Sequence, residues 1–268
     1  MPNLLVESKP TPDENGSVVE VTPASAGWGY VGFEVFRLEA GQVLARQAEE
    51  QKELCLVPLS GLCHISADGD EWRNVGGRES VFDGAPCSLY LPPRRPYRVQ
   101  AVGGRLELAV ASAPAEVGVA PQLISPRDIE VEIRGSGSME REIRPILMED
   151  RPAERLLVVE VITPNGHWSS YPPHKHDQDD RPRETYLEET YYHRMKPEGG
   201  FAFQRVYTED GSVDVTLTFR DGNVVLVPRG YHAVSTPPGY DLYYLNVMAG
   251  PVREWKIKND PDHEWLLG

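Results

Sequence analysis

Seven histidines stand at positions 64, 167, 174, 176, 193, 232 and 263. His174 and His176 form an HxH pair. On a strand, residues i and i+2 point to the same face, so two imidazoles can converge on one ion. After an acidic, arginine-containing loop, Glu188-Glu189-Thr190 opens the next strand and can deliver a carboxylate. His232 follows the Pro228-Arg229-Gly230-Tyr231 turn that ends another strand. Three imidazoles and one carboxylate make a borderline N₃O donor set, suited to one divalent ion of zinc, iron, manganese, cobalt or nickel. A lone HxH pair is common on surfaces. Here a Gly-Pro-rich turn precedes it, a Glu-led strand follows, and a further histidine sits at the next Pro-Gly turn.

Such a set needs a rigid frame, and strand-like runs supply one. They include Gly32–Leu38, Leu54–Val57, Ser88–Leu91, Leu106–Ala111, Leu156–Val161, Thr190–His193, Ala202–Tyr207, Val213–Phe219, Val224–Val227 and Leu242–Met248. They are short, rich in Val, Leu, Tyr and Phe, and bounded by turn residues. No long stretch holds a 3.6-residue apolar period. Asp210-Gly211 and Asp221-Gly222 read as hairpin turns. The 24 Gly and 24 Pro are spread along the chain, as many short strands require.

The order of motifs repeats. Phe33–Gln42, Lys52–Gly61, Cys87–Pro93 and Arg105–Pro114 are echoed by Val158–His167, Glu188–Gly199, Asn223–Gly230 and Leu242–Pro251. The chain is therefore expected to be all-β, with two tandem barrels: residues 1–120, an inter-barrel segment at 121–155, and residues 156–268. The first barrel holds no histidine at its Pro turn, Leu91–Tyr97, and Glu53 stands there without partners. It is expected to lack metal and to serve packing or assembly. His64 reads as a strand or turn residue and His263 as a solvated tail residue.

Forty-one acidic against 27 basic residues give a net charge of −14. That disfavours nucleic acid and anionic membrane surfaces as partners. No run approaches the ~18 apolar residues of a membrane span. The first residues carry no basic, apolar signal, and Cys55, Cys63 and Cys87 show no CxxC spacing. A cytoplasmic location with reduced thiols is expected. Exposed barrel edges make a homo-oligomer the expected assembly.

Gly166, His174-Lys175-His176, the glutamate and Pro228–His232 resemble the two motifs of the cupin superfamily, in bicupin arrangement. Closer still is a resemblance to the 5-deoxy-glucuronate isomerase family of inositol catabolism. It is carried by Ile133–Leu147, Ser169–Asp177, Leu187–Met195, Val225–Val234 and Tyr243–Gly250, and it covers nearly the whole chain. The resemblance implies two tandem cupin barrels of double-stranded β-helix, jelly-roll-like form. It implies His174, His176, a glutamate and His232 as ligands. The cupin ligand stands directly before the strand's aromatic run, which favours Glu189 over Glu188.

The implied reaction is an aldose–ketose isomerisation of 5-deoxy-D-glucuronate to 2-deoxy-5-keto-D-gluconate. A metal with open positions can polarise the carbonyl and its neighbouring hydroxyl, and a base must move a proton from C2 to C1. A hydride shift is the competing route. Lys175 should point away from the ion and be exposed. Tyr191 and His193 share parity with Glu189 and should face the barrel interior, where either could be a wall residue. Tyr244 and Asn246 share a face of the closing strand. Tyr191, Tyr244 and Asn246 are the candidate catalytic groups. The small anionic sugar-acid substrate needs a cation for its carboxylate, and Arg141, Arg183, Arg205 and Arg229 are the candidates. Arg141 follows the Arg134–Gly137 segment, which is equally a Gly-rich hairpin. A metal-dependent dioxygenase and a non-catalytic sugar-binding bicupin are the alternatives.

Overall fold

The computed structural model describes residues 3–47 and 51–267. It is built from strands, with one helical turn at Pro23–Ala26 and three short 3-10 segments. The chain divides into two compact units.

One unit comprises Ser8–Glu130 and Pro145–Val158. Its sheet runs in the order Ser17–Val21, Gly32–Leu38, Tyr97–Pro114, Lys52–Ala67, Ser88–Leu91 and Gln122–Ile124. The two long strands pair antiparallel through most of their length, with register shifts between Pro58 and Leu62. Leu38, Leu56, Ile65, Leu89, Val99 and Leu108 lie in its core, each at most 3% exposed. Tyr97–Ala101 alternates buried and exposed residues, whereas Leu54–Leu59, Ser88–Leu91 and Leu106–Ala111 are buried on both faces.

Glu53 in this unit is fully buried and has partners. It accepts from the Tyr90 hydroxyl at 2.8 Å and from the backbone N–H groups of Glu154, Arg155 and Leu156 at 2.8, 2.6 and 2.7 Å. The expectation of a partnerless Glu53 is corrected: its donors are mostly backbone amides, which carry no residue-type signal. His64 accepts from the Asn74 N–H of the neighbouring strand, Asp70–Gly76.

The other unit comprises residues to Glu7, Val131–Arg144, and the chain from Val159. Its larger sheet is ordered Leu5–Val6, Val224–Val227, Glu188–Lys196, Asp241–Ala249, Leu157–Thr163, Arg141–Leu147 and Glu132–Arg134. Its smaller sheet is ordered Asp214–Phe219, Ala202–Tyr207, Tyr231–Ser235, Trp168–Lys175 and Lys258–Asn259. Asp210-Gly211 turns a hairpin, since the flanking strands pair. Asp221-Gly222 does not, contrary to expectation. The strand before it belongs to the smaller sheet and the strand after it to the larger, so this turn carries the chain between sheets. The Asp221 carboxylate fixes the corner by accepting from Arg194 Nε at 2.9 Å and the Met195 N–H at 2.8 Å.

Candidate metal centre

The smaller sheet positions the histidines. His174 on Trp168–Lys175 and His232 on Tyr231–Ser235 are direct cross-strand partners. His176 follows two residues after His174 on the same side. Ligand atoms of the three rings all lie within 4.8 Å of one another. The larger sheet supplies Glu189, whose parity aims it at the same point. Its Oε2 lies 3.0 Å from His176 Nε2 and 3.2 Å from His232 Nε2. Glu188 points elsewhere, towards the Tyr186 hydroxyl at 3.3 Å.

The protonation pattern bears on what fits between them. His176 Nδ1 lies 3.0 Å from the Leu187 carbonyl and His232 Nδ1 3.1 Å from the Gly230 carbonyl. A carbonyl only accepts, so each Nδ1 donates, and in the neutral ring each Nε2 presents its lone pair. Both lone pairs then face the Glu189 carboxylate. His232 Nε2 is buried without a hydrogen-bond partner. Two lone pairs and an anion brought together call for a cation between them, and backbone-oriented imidazoles are the usual support of metal ligands. The donor set fits a divalent ion.

With no ion between them, these groups act on one another directly. Burial and the two neighbouring imidazoles hold His174 well below the ordinary histidine value. Burial opposes charge on His176, but the Glu189 carboxylate outweighs it and raises that pKa. Burial alone would raise Glu189, and its contacts with His176 and His232 instead hold it far below the usual carboxylate range.

Two devices tie the ligand turns together. Gly230 adopts φ 95°, and a Cβ there would meet the Tyr207 carbonyl oxygen at 2.4 Å, so only glycine fits the turn before His232. Its N–H donates to Asp177 Oδ2 at 2.8 Å. Asp177 Oδ1 in turn accepts from Lys175 Nζ at 2.6 Å, and Lys175 also donates to Glu184 at 3.0 Å. Lys175 does point away from the histidines, but the expectation that it is exposed is corrected: it is 2% exposed, because Asp177 and Glu184 neutralise it inside the fold. Burial would lower its pKa, and these two carboxylates raise it.

Beside this cluster lies a small pocket of about 40 Å³. Its lining includes His174, Glu189, Tyr191, Tyr244, Asn246 and Arg141. Tyr191 and Asn246 are cross-strand partners, as are His193 and Tyr244. Asn246 Nδ2 donates to Glu189 Oε1, while Asn246 Oδ1 is buried without a partner. Tyr191 shares a 2.9 Å hydrogen bond with Ser170, and Tyr244 shares one with Ser169. Consecutive serines would face opposite ways on a regular strand. Ser170 adopts φ 49° within a register shift, and both hydroxyls reach tyrosines. Burial raises both phenol pKa values, so these tyrosines stay protonated.

His193 is an interior wall residue. It stacks on Phe219 with ring centroids 3.6 Å apart, and donates from Nδ1 to the Asn223 carbonyl at 3.3 Å. Burial pushes its pKa down to about 3. Of the four arginines, Arg141 alone lines the pocket. Arg183 is exposed and paired with Asp180 at 2.6 Å, Arg205 with Asp214 at 2.9 Å, and exposed Arg229 donates to Ser212 Oγ at 2.9 Å. His263 is half-buried, its ring 6.4 Å from that of Tyr171. Ser169, Ser170, Asp177 and Trp255 were not anticipated. The paired serines before Tyr171-Pro172-Pro173 were the one visible signal.

Comparison with known proteins adds a second line. The family model described as the KduI/IolB family matches residues 4–266. A 5-deoxy-glucuronate isomerase of Geobacillus thermodenitrificans is 56% identical over 264 residues, covering 98% of this chain and 96% of that protein. One of Bacillus subtilis is 46% identical, covering 93% and 92%. The crystal structure of an IolB-like protein from Salmonella typhimurium superposes with a TM-score of 0.95 at 44% identity, covering all of both chains. An oxalate decarboxylase of Bacillus subtilis superposes at 0.67 with 15% identity over 97% of this chain and 80% of that one. At that identity the likeness speaks for the fold alone, an all-β, two-domain cupin fold. No helix among the described residues is long and apolar enough to cross a membrane.

Proposed function

The chain belongs to the KduI/IolB family, and on that premise we propose that it is the aldose–ketose isomerase of inositol catabolism that converts 5-deoxy-D-glucuronate to 2-deoxy-5-keto-D-gluconate. The observation that carries this reading is the convergence of His174, His176, His232 and Glu189 beside a pocket that His174 and Glu189 line together with Tyr191, Tyr244 and Asn246. The first four would hold one divalent metal. When bound, it would supply Lewis acidity towards a carbonyl and the hydroxyl beside it.

The chain's own groups do the rest. Tyr191 and Tyr244, kept neutral by burial and oriented by Ser170 and Ser169, present phenol groups that can donate to substrate oxygens as charge develops. Asn246 spends its amide N–H on Glu189 and holds the carboxylate's direction. Its unpartnered Oδ1 is left to accept from a substrate hydroxyl. The proposal includes a cytoplasmic setting, in keeping with three free cysteines, and a homo-oligomeric assembly.

Proton NMR of 5-deoxy-glucuronate with the protein, without oxygen, tests this. Loss of the aldehyde signal, abolished by chelator and restored by a divalent metal, is expected. Full metal binding with the aldehyde signal intact would overturn the isomerase reading, and oxygen uptake would favour a dioxygenase.

A further inference from the structure

We propose that Arg141 sets the pocket's specificity by receiving the substrate's carboxylate, at the end of the sugar acid remote from the carbons that isomerise. This rests on the isomerase reading above.

Arg141 is the first residue of the Arg141–Leu147 strand and closes a hairpin with Glu132–Arg134. Its guanidinium is half-buried and lines the same pocket as His174 and Glu189. Nη1 donates to the Met139 carbonyl at 3.1 Å. Gly135, at φ 81°, lets the turn wrap this group: a Cβ there would meet Nη1 at 2.8 Å and the Met139 oxygen at 2.3 Å. The guanidinium is thus held at the pocket wall by backbone, with most of its five N–H groups uncommitted.

Among the described residues no carboxylate pairs with it. Its neighbours differ. Arg134 pairs with Glu132 at 2.7 Å, and Arg144 with Glu142 at 2.6 Å and Glu160 at 3.1 Å. A half-buried cation without a counter-ion is costly unless a ligand supplies one. A planar fork fixed at a pocket wall suits bidentate recognition of a carboxylate. The chain's net charge of −14 opposes any anion approaching it, so a local, unneutralised cation is what an anionic sugar requires.

Calorimetry on metal-loaded wild type, Arg141→Gln and Arg141→Lys tests this. The probes are D-glucuronate and its neutral amide, D-glucuronamide, and the KM for 5-deoxy-glucuronate is measured alongside. Wild type should prefer the carboxylate by about 10- to 100-fold, the span of a charge-assisted pair. Arg141→Gln should erase that preference and raise KM by a similar factor, with metal content and glucuronamide affinity unchanged. Arg141→Lys should keep part of it. An Arg141→Gln protein with wild-type preference and KM would overturn the assignment. Turnover by wild type without any carboxylate preference sinks the assignment and leaves the isomerase reading standing. A preference without turnover does the reverse, and neither preference nor turnover overturns both.

Discussion

His174 and His232 are registered partners across two antiparallel strands, with ring centroids 4.7 Å apart and planes at 67°. Their separation is set by backbone pairing, so rotamer changes alone cannot part the strands that carry them. His232 is also aimed by its own turn, through Nδ1 and the Gly230 carbonyl.

His232→Gln should therefore lose metal while keeping the fold. Loss of a supporting partner around a ligand costs about 10- to 100-fold in affinity, and loss of a ligand should cost at least that. Elemental analysis after dialysis, beside a circular dichroism spectrum, checks it.

Lys175→Met should leave Asp177 and Glu184 buried without their cation. Stripping one partner from a buried ion cluster costs about 3–5 kcal/mol. Asp177 would also hold the Gly230 turn less firmly. Metal affinity should fall together with stability, measured by metal titration and urea unfolding. Loss of stability with affinity unchanged would mean that the cluster does not aim His232.

Glu53→Ala should destabilise the other unit without touching metal content. Three backbone N–H groups and the Tyr90 hydroxyl would lose their acceptor, and each buried unsatisfied donor costs about 1–3 kcal/mol. Denaturant unfolding reads the stability and elemental analysis reads the metal.

Acid should weaken the fold through His193. Its folded pKa, about 3, lies below the 6.5 of a free histidine. Between those values the unfolded chain binds the extra proton. The stabilisation is fully present above pH 6.5 and is lost as pH falls towards 3, at up to about 1.4 kcal/mol per unit. Unfolding free energies from pH 7 to pH 5 should fall less steeply in His193→Gln. An unchanged slope would remove His193 from the account.

Tyr244→Phe should lower kcat about 10²-fold, the scale of losing one donor to a developing oxyanion, with metal content unchanged. Steady-state kinetics on the loaded enzyme check it. Wild-type turnover would assign Tyr244 to the wall.

The convergence of three histidines and a glutamate was legible because its determinants are local. HxH on a strand, a glutamate at a strand start and a histidine after a Pro-Gly turn each follow from parity or turn chemistry over a few residues. What escaped was non-local or conformational. Lys175 read as exposed because its neutralising Glu184 lies across an irregular loop. The donors to Glu53 are backbone groups more than 100 residues away in sequence. The left-handed φ of Ser170, which turns both serine hydroxyls to tyrosines, has no residue-type signature, since serine does not ordinarily favour it. Four arginines looked alike in sequence. Pairing of Arg183 and Arg205 with nearby aspartates distinguishes them from Arg141 only in three dimensions.

Leu5–Val6 pairs with Val224 and Val225, and Leu226 donates its N–H to the Leu4 carbonyl at 2.8 Å. This edge borders the strand that runs into the Pro228–His232 turn. During synthesis, Leu5–Val6 must stay unpaired until the Val224–Val227 strand emerges. Closing so long a loop is entropically expensive, and the strand edge stays open meanwhile. The barrel that carries the histidine cluster thus closes only after the other unit has been made, and a fusion placed ahead of Leu4 would press on that barrel's sheet, although the other unit follows it immediately in the chain.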